Sequence, residues 1–151
     1  MLKEVAKINE RQKDFAVQKI TDLLWNLEGK TIAVWGLAFK PDTDDIREAP
    51  AIDIIRKLIS RGSKIKAFDP VAMENTKSEL GENITYCTDI YETAEGADIV
   101  ILMTEWNEFK EVDWERIKKD MTHPVVLDGR NIYDPAKLKA LGFKYSGIGR
   151  R

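Results

Sequence analysis

The chain has 151 residues, 43% of them hydrophobic, and its 24 Lys and Arg residues against 26 Asp and Glu give a formal charge of −2. This length suits one domain with an appended segment, and the slightly negative charge argues against the basic excess that nucleic-acid binding demands. A single cysteine and a single histidine exclude an intrachain disulfide and a structural zinc site.

The amino-terminal segment, MLKEVAKINERQKDF, is charged throughout and lacks the apolar stretch of a signal peptide. No run in the chain approaches the roughly 20 apolar residues of a membrane span. We therefore expect no membrane partner and a cytoplasmic location, which the single cysteine also favours.

Residues 2–27 predict one long amphipathic helix, because apolar residues recur every three or four positions without proline or glycine. Gly29 predicts its end, and Trp25 fits the apolar stripe as a core residue. The stripe is longer than one sheet needs, so part of it is expected to face another domain or another subunit. That exposed part is predicted to comprise Val5, Ile8, Phe15 and Ile20.

The rest of the chain alternates short apolar runs with helical patterns. The predicted strands are 31–35, 64–68, 84–87, 97–103, 125–127 and 143–148. The predicted helices between them are 50–61, 71–80, 91–96, 114–119 and 135–141. Strands separated by helices require crossovers, and crossovers produce a parallel sheet covered on both faces.

The predicted fold class is therefore α/β, a Rossmann-like doubly wound parallel sheet preceded by a long amphipathic helix. We divide the chain into the helical segment 1–28 and the sheet domain 29–151. A flavodoxin-like or receiver domain has the same architecture, but Gly36 and Leu37 stand where a receiver needs a phosphoacceptor carboxylate.

The segment 36–50 follows the first strand, and loops at that edge of a parallel sheet form the binding crevice. Gly36 stands alone where a dinucleotide fingerprint needs three glycines, so an NAD site inside this domain is disfavoured. The loop is longer than the usual connection of about four to six residues and is rich in charge. It is either a functional loop or a solvated surface loop.

Two cations are predicted at this crevice, because Lys40 lies in the first loop and Arg130 follows the fifth strand. Arg130 can offer bidentate hydrogen bonds and Lys40 a point charge, a combination that suits a diphosphate. The alternative is that each cation pairs with a nearby carboxylate. The candidates are Asp42, Asp44, Asp45 and Asp128.

The string GLAFKPDTDDIREAP at 36–50, followed in order by FDP, TEW, DGRN and a final SGIGR, resembles the UDP-glucose/GDP-mannose dehydrogenase family. The UDP-binding domain of that family carries the loop GLAFKPxTDDxRESPA. The leading helix resembles the second half of the family's long central helix, whose INxxQ pattern is Ile8, Asn9 and Gln12 here. TEWNEF is most similar to the UDP-glucose enzymes of the family.

The resemblance implies that Phe39 and Lys40 contact a nucleotide sugar and that Arg130 reaches the same ligand from the next loop. Arg47 would contact the NAD that a separate amino-terminal domain holds. One departure is visible, since Ala49 replaces the family's serine and removes an N-cap worth roughly 1 kcal/mol. The carboxylates expected to shape the loop and orient Arg47 are Asp44, Asp45 and Glu48.

The family oxidises a primary alcohol twice with two NAD, passing through a thioester on a cysteine in a glycine-rich motif. No such motif occurs in these residues, so we expect no catalytic residue here. Cys87 is interpreted as a small buried hydrophobe, and His123 as an exposed histidine at a strand entrance. Trp114 is expected in the core, whereas Trp106 is either a core residue or a wall of the uridine pocket.

Two functions follow from this sequence. The first is the nucleotide-sugar-binding part of an NAD-dependent enzyme that converts UDP-glucose to UDP-glucuronate; it would be inactive alone because its partner, the amino-terminal NAD domain, is missing from these residues. The second is a standalone interaction domain that forms a homodimer through the leading helix and has lost or altered its ligand.

Overall fold

The computed structural model describes residues 2–148, with side chains from residue 10 onward. The helices are α1 Leu2–Leu24, α2 Pro50–Ser60, α3 Met73–Leu80, α4 Ile90–Ala94, α5 Trp114–Asp120 and α6 Pro135–Ala140. The strands are β1 Thr31–Trp35, β2 Lys64–Phe68, β3 Thr85–Tyr86, β4 Ile99–Leu102, β5 Val125–Asp128 and β6 Lys144–Gly147. A short 3-10 helix, Asn107–Phe109, lies between β4 and α5.

The six strands form one parallel sheet in the order β3-β2-β1-β4-β5-β6. The chain winds outward from β1 in one direction and then returns to continue from β4 in the other, so β1 and β4 are neighbours at the switch point. This arrangement confirms the predicted Rossmann-like doubly wound fold.

The central strands are buried on both faces, so each contributes alternate side chains to two separate cores. Ile32 and Val34 of β1 face the core that α1 and α2 cover. Ala33 and Trp35 face the opposite core, where Trp35 stacks on Trp114 with ring centroids 5.5 Å apart. Trp114 is therefore a core residue, as predicted.

Helix α1 is docked on the sheet domain by both apolar burial and charge. Val17 and Ile20 are 1% and 0% exposed within the core. Beside them, Lys13 Nζ lies 2.5 Å from Asp53 Oδ2 and Lys57 Nζ lies 2.8 Å from Asp14 Oδ1. These two ion pairs join α1 to α2, so the second half of α1 is packed as part of the same body.

Two predictions about the leading helix are wrong. The helix ends at Leu24 rather than Leu27, because Trp25 adopts a left-handed conformation with φ 74. Trp25 is 88% exposed and is not a core residue, since the reversal turns it outward while Leu27 stays buried.

The predicted exposed stripe of α1 is only partly correct. Phe15 is 53% exposed as expected, but Ile20 is fully buried against the sheet. The side chains of Val5 and Ile8 lie outside the described residues, as does the basic tail Arg150 and Arg151. The exposed aromatic surface of the described part of α1 is therefore centred on Phe15.

Helix α2 begins without a side-chain cap, since Ala49 occupies the N-cap position and Pro50 follows it. Three later helices begin with an aspartate whose carboxylate accepts a hydrogen bond from the first turn. Within residues 2–148 no helix combines the length and the apolar character needed to cross a membrane.

Candidate functional site

A cleft of about 650 Å³ lies where β1, β4 and β5 end, and the second half of α1 forms its opposite wall. The strand ends and their loops contribute Phe39, Met103, Leu127, Gly129 and Arg130. The helix contributes Glu10, Gln12, Lys13, Ala16 and Ile20. An aromatic ring and charged groups thus surround an apolar floor, which is typical of a small-molecule site.

The loop after β1 leaves the sheet through Gly36, which has φ 93 and donates its N–H to Phe68 O at 2.9 Å. A Cβ at this position would lie 2.5 Å from Thr104 Cβ, so only glycine fits between β1 and the end of β4. Phe39 N–H then bonds Asp45 O at 2.8 Å, which folds the loop back on itself and leaves the Phe39 ring 51% exposed in the cleft.

Arg47 is held by the carboxylate two residues before it. Its Nε and Nη2 donate to the two oxygens of Asp45, each at 3.0 Å, and its backbone N–H donates to Asp45 Oδ1. These hydrogen bonds to Arg47 lower the pKa of Asp45 to about 2. The Arg47 side chain is 88% exposed, so its orientation is fixed while its remaining donors face solvent.

The other predicted residues of this loop are placed as follows. Lys40 is exposed, lies beside Phe39 and forms no ion pair within 4.0 Å among the described side chains, although it does not line the cleft. Glu48 lines the cleft, in a left-handed conformation with φ 59. Asp44 accepts a hydrogen bond from Asn75 through its backbone carbonyl. Of the three carboxylates, Asp45 is the one paired with Arg47.

Arg130 lines the cleft from the loop after β5. Its partner is Glu105, to which Nε and Nη2 both donate, the second at 3.2 Å. The carboxylates considered from the sequence are therefore wrong for Arg130: Asp128 accepts only its backbone N–H, at 3.1 Å. Glu105 was missed because its pairing depends on β4 and β5 being neighbours, which sequence spacing does not reveal.

Two fully buried carboxylates, Asp69 after β2 and Asp128 at the end of β5, fix the loops of this edge. Asp69 accepts hydrogen bonds from Trp106 Nε1 and from the backbone N–H groups of Leu37, Ala38, Val71 and Ala72. Asp128 accepts from the N–H of Arg130 and Tyr133 and from Tyr145 Oη. The sequence signal for both was an aspartate directly after an apolar strand.

These residues do not fit an NAD site at the ends of β1 and β2. Dinucleotide-binding domains of this fold use a glycine-rich first turn for the pyrophosphate and an acidic residue after β2 for the ribose. Here Gly36 is the single glycine of its turn, and Asp69 is 0% exposed with both oxygens engaged. The turn therefore lacks the glycines that a pyrophosphate needs, and the oxygens of Asp69 are already engaged and cannot bind a ribose.

The remaining candidates lie away from the cleft. Burial, with a smaller effect of Glu92, raises the pKa of Cys87 to about 11, so the thiol stays protonated. His123 is 58% exposed, with Nδ1 2.9 Å from Asp98 Oδ1 at the opposite edge of the sheet. Trp106 is 8% exposed in the second core and does not line the cleft. Within residues 10–148 no cluster of His, Cys, Asp or Glu could hold a metal ion.

The fold and the cleft define a Rossmann-like ligand-binding domain whose first loop lacks the dinucleotide fingerprint. Comparison with known proteins gives the family: the profile of the UDP-glucose/GDP-mannose dehydrogenase family, UDP binding domain, matches residues 33–135. The chain belongs to this family.

Two of the relatives are UDP-glucose 6-dehydrogenases that are much longer than this chain. The chain is 39% identical over 150 residues to UDP-glucose 6-dehydrogenase TuaD of Bacillus subtilis, covering 99% of its own length and 32% of that protein. It is 40% identical over 158 residues to UDP-glucose 6-dehydrogenase of Pseudomonas aeruginosa, covering 99% of its own length and 34% of that protein. It therefore spans about a third of the length of the curated relatives it matches.

Solved structures agree with this comparison. A UDP-glucose dehydrogenase from Pyrobaculum islandicum superposes with a TM-score of 0.83 at 34% identity, over 99% of this chain and 32% of that one. A UDP-D-ManNAc dehydrogenase from Pyrococcus horikoshii gives 0.79 at 32% identity, over 95% of this chain and 32% of that one. The two structures carry names with different sugars, so the similarity alone does not select one.

Proposed function

We propose that the cleft binds the nucleotide diphosphate part of a UDP-sugar, with UDP-glucose as the first candidate. The observation that carries this proposal is the convergence of Phe39 and Arg130, from two separate loops, on one cleft at the switch-point edge of the sheet. Ligands of doubly wound domains bind in this crevice. Membership of a family whose domain is named for UDP binding supports the nucleotide.

In this proposal the site residues contact different parts of the ligand. Phe39 offers an exposed ring for contact with the nucleotide sugar, and Arg130 offers a planar cation for bidentate hydrogen bonds. Lys40, next to Phe39 and without an ion-pair partner among the described residues, adds a second positive charge. The two cations suit a diphosphate better than a neutral metabolite.

We propose that Arg47 faces a different partner. It lies on the same loop but outside the cleft lining, exposed and oriented by Asp45. A cation fixed in this way suits the pyrophosphate of an NAD molecule held by another domain, because charge-assisted hydrogen bonds to phosphate are strong. Helix α1 would then be part of the long helix that connects the two domains.

The reaction proposed for the complete enzyme is NAD-dependent oxidation of UDP-glucose to UDP-glucuronate. In this reaction the described residues bind and orient the substrate. Its chemistry needs a nucleophilic cysteine and an NAD site, and neither Cys87 nor the edge formed by Gly36 and Asp69 supplies them. The 151 residues are therefore proposed to bind without oxidising.

Isothermal titration calorimetry of the 151-residue chain with UDP, UDP-glucose and NAD tests the binding proposal. We expect UDP and UDP-glucose to bind, Lys40→Ala and Arg130→Ala each to weaken UDP by about tenfold, or ~1.4 kcal/mol, and NAD to give no heat. Lys64→Ala and Arg61→Ala are matched controls, since they remove the same charges at the opposite edge of the sheet. Equal affinity in all four variants would overturn the proposal.

We further propose that α1 associates with a second copy of the chain. Phe15 is half exposed and borders a depression of about 390 Å³ with Arg11, Gln12 and Ile148. One apolar face on one helix can meet its own copy around a two-fold axis. Light scattering after size-exclusion chromatography should show a dimer that Phe15→Ser dissociates, with Phe15→Leu as the control. A monomer at high micromolar concentration would rule this out.

A further inference from the structure

Glu105 and Arg130 form an ion pair with two hydrogen bonds across the ends of two neighbouring strands. β4 and β5 are adjacent and parallel, with Leu102 opposite Asp128, so the loops that follow them run side by side. Both hydrogen bonds use the Nε and Nη2 side of the guanidinium. The side chains are 26% and 46% exposed, so the pair lies at the surface of the domain.

The backbone on the Glu105 side is firmly held. Its neighbour Thr104 is 1% exposed and donates to Ala38 O at 2.7 Å. Its other neighbour, Trp106, is 8% exposed and donates to buried Asp69. Glu105 therefore stands between two anchored residues, which fixes the position from which its carboxylate reaches Arg130.

The backbone on the Arg130 side is held in the same way. Gly129 donates to Leu102 O at 2.9 Å, and a Cβ at Gly129 would collide with that carbonyl. Arg130 N–H donates to Asp128 Oδ1. The backbones of both residues are therefore held in place. The flexible part that remains is the Arg130 side chain, and its two hydrogen bonds to the Glu105 carboxylate restrict it.

We propose that Glu105 is a positioning residue that holds Arg130 ready for the phosphate or sugar oxygens of the ligand; this inference rests on the proposed function. A guanidinium has five N–H donors, of which Glu105 engages two, so the two on Nη1 and the second on Nη2 stay available. Arg130 lines the cleft and Glu105 does not. The Glu105 carboxylate therefore binds the Nε and Nη2 side of the guanidinium from outside the cleft and leaves the Nη1 side for a ligand.

The opposite effect is also physically possible, because a carboxylate near an anionic ligand repels it. Preorganisation is the stronger effect here, since an arginine that is immobilised before binding loses less conformational freedom when the ligand arrives. The pair is already neutral, and it is exposed enough for water and salt to screen the remaining repulsion.

Calorimetry with UDP on Glu105→Ala and Glu105→Gln, each in the parent and in the Arg130→Ala background, tests the inference. We expect Glu105→Ala to weaken UDP by about tenfold and Glu105→Gln, which keeps one acceptor, by less. Glu105→Ala should have no further effect once Arg130 is removed. The urea midpoint of unfolding should stay unchanged, because an exposed pair contributes little to stability. Glu108→Ala, which removes the same charge from the same loop, is the control.

The outcomes separate the two proposals. Glu105 variants that bind UDP as tightly as the parent, or more tightly, overturn the positioning role. The binding proposal still stands in that case if Arg130→Ala has a lower affinity for UDP. A loss from Glu105→Ala that persists in the Arg130→Ala background also overturns it, since Glu105 would then act without Arg130. Normal UDP binding by Arg130→Ala overturns this inference, and it overturns the proposed function as well if Lys40→Ala also binds UDP normally.

Discussion

Trp106 Nε1 donates a hydrogen bond to Asp69 Oδ2 at 3.2 Å, joining the loop after β4 to the loop after β2 across the end of β1. Asp69 is 0% exposed, and all of its partners are N–H donors. Asp69 and Trp106 therefore hold the loops after β1, β2 and β4 together on the side of the sheet where the cleft lies.

Asp69→Asn should lower the free energy of unfolding by roughly 3 kcal/mol. The substitution replaces one carboxylate oxygen by an NH₂ group, so the N–H donors that bonded that oxygen would lose their acceptor. Trp106→Phe should lower it by roughly 1–2 kcal/mol, since it removes one bond and leaves the other four. Urea denaturation followed by circular dichroism measures both. Equal losses in the two variants would show that the backbone N–H groups do not depend on the carboxylate.

The Asp45 carboxyl should titrate with a midpoint of about 2 in the folded chain, below the ordinary value of 3.8. Arg47→Ala should return it towards 3.8, because the hydrogen bonds from Arg47 are the main cause of the shift. A depressed folded-state pKa stabilises the fold above pH 3.8, and this contribution disappears as the pH falls from about 4 to 2. Carboxyl ¹³C NMR measures the midpoint, and a parent value near 4 would contradict the pairing.

Gly36→Ala should destabilise the domain by roughly 3 kcal/mol, since it adds a left-handed alanine and a collision with Thr104. Gly96→Ala is the matched comparison, because Gly96 also has positive φ, 72, but meets no atom within 4 Å. That variant should lose only about 1 kcal/mol. Urea midpoints compare the two, and a Gly36→Ala loss no larger than that of Gly96→Ala would show that β1 and the loop after β4 can move apart.

Cys87 should react slowly with a thiol reagent at pH 8. Its pKa of about 11, against an ordinary 9.0, leaves about 100-fold less thiolate than a free thiol would have. The raised pKa stabilises the fold below pH 9, and this contribution falls as the pH rises from 9 to 11. Absorbance kinetics with an aromatic disulfide, repeated in denaturant as the control, measures the difference; equal rates in both would contradict burial of the thiol.

Much of the fold could be predicted because local patterns determine it. Short apolar runs identified the strands, and proline and glycine identified the limits of α2 and α6. The end of α1 could not be predicted, since the apolar period continues through Leu27 while Trp25 adopts a conformation that favours glycine. Packing of Leu24 and Leu27 against the domain, rather than local propensity, decides that turn.

The candidate site was less predictable than the fold. The rule that ligands bind at the carboxyl ends of parallel strands placed Lys40 and Arg130 at one crevice; Arg130 lines the cleft, whereas Lys40 does not. Phe39, which the family resemblance suggested, also lines it. The pairing of Arg130 with Glu105 was not foreseeable, because residues 25 positions apart meet only when β4 lies beside β5. The contribution of Lys13 to the cleft wall likewise depends on how α1 crosses the domain.

One wall of the cleft is a helix, so occupancy of the cleft and docking of that helix are thermodynamically linked. A ligand that touches both Arg130 and the α1 residues opposite it holds α1 against the sheet as it binds. By reciprocity, anything that pulls on or steadies α1 changes the affinity for the ligand. If another domain or subunit contacts α1, as proposed, its association and the binding of the ligand are expected to strengthen or weaken each other.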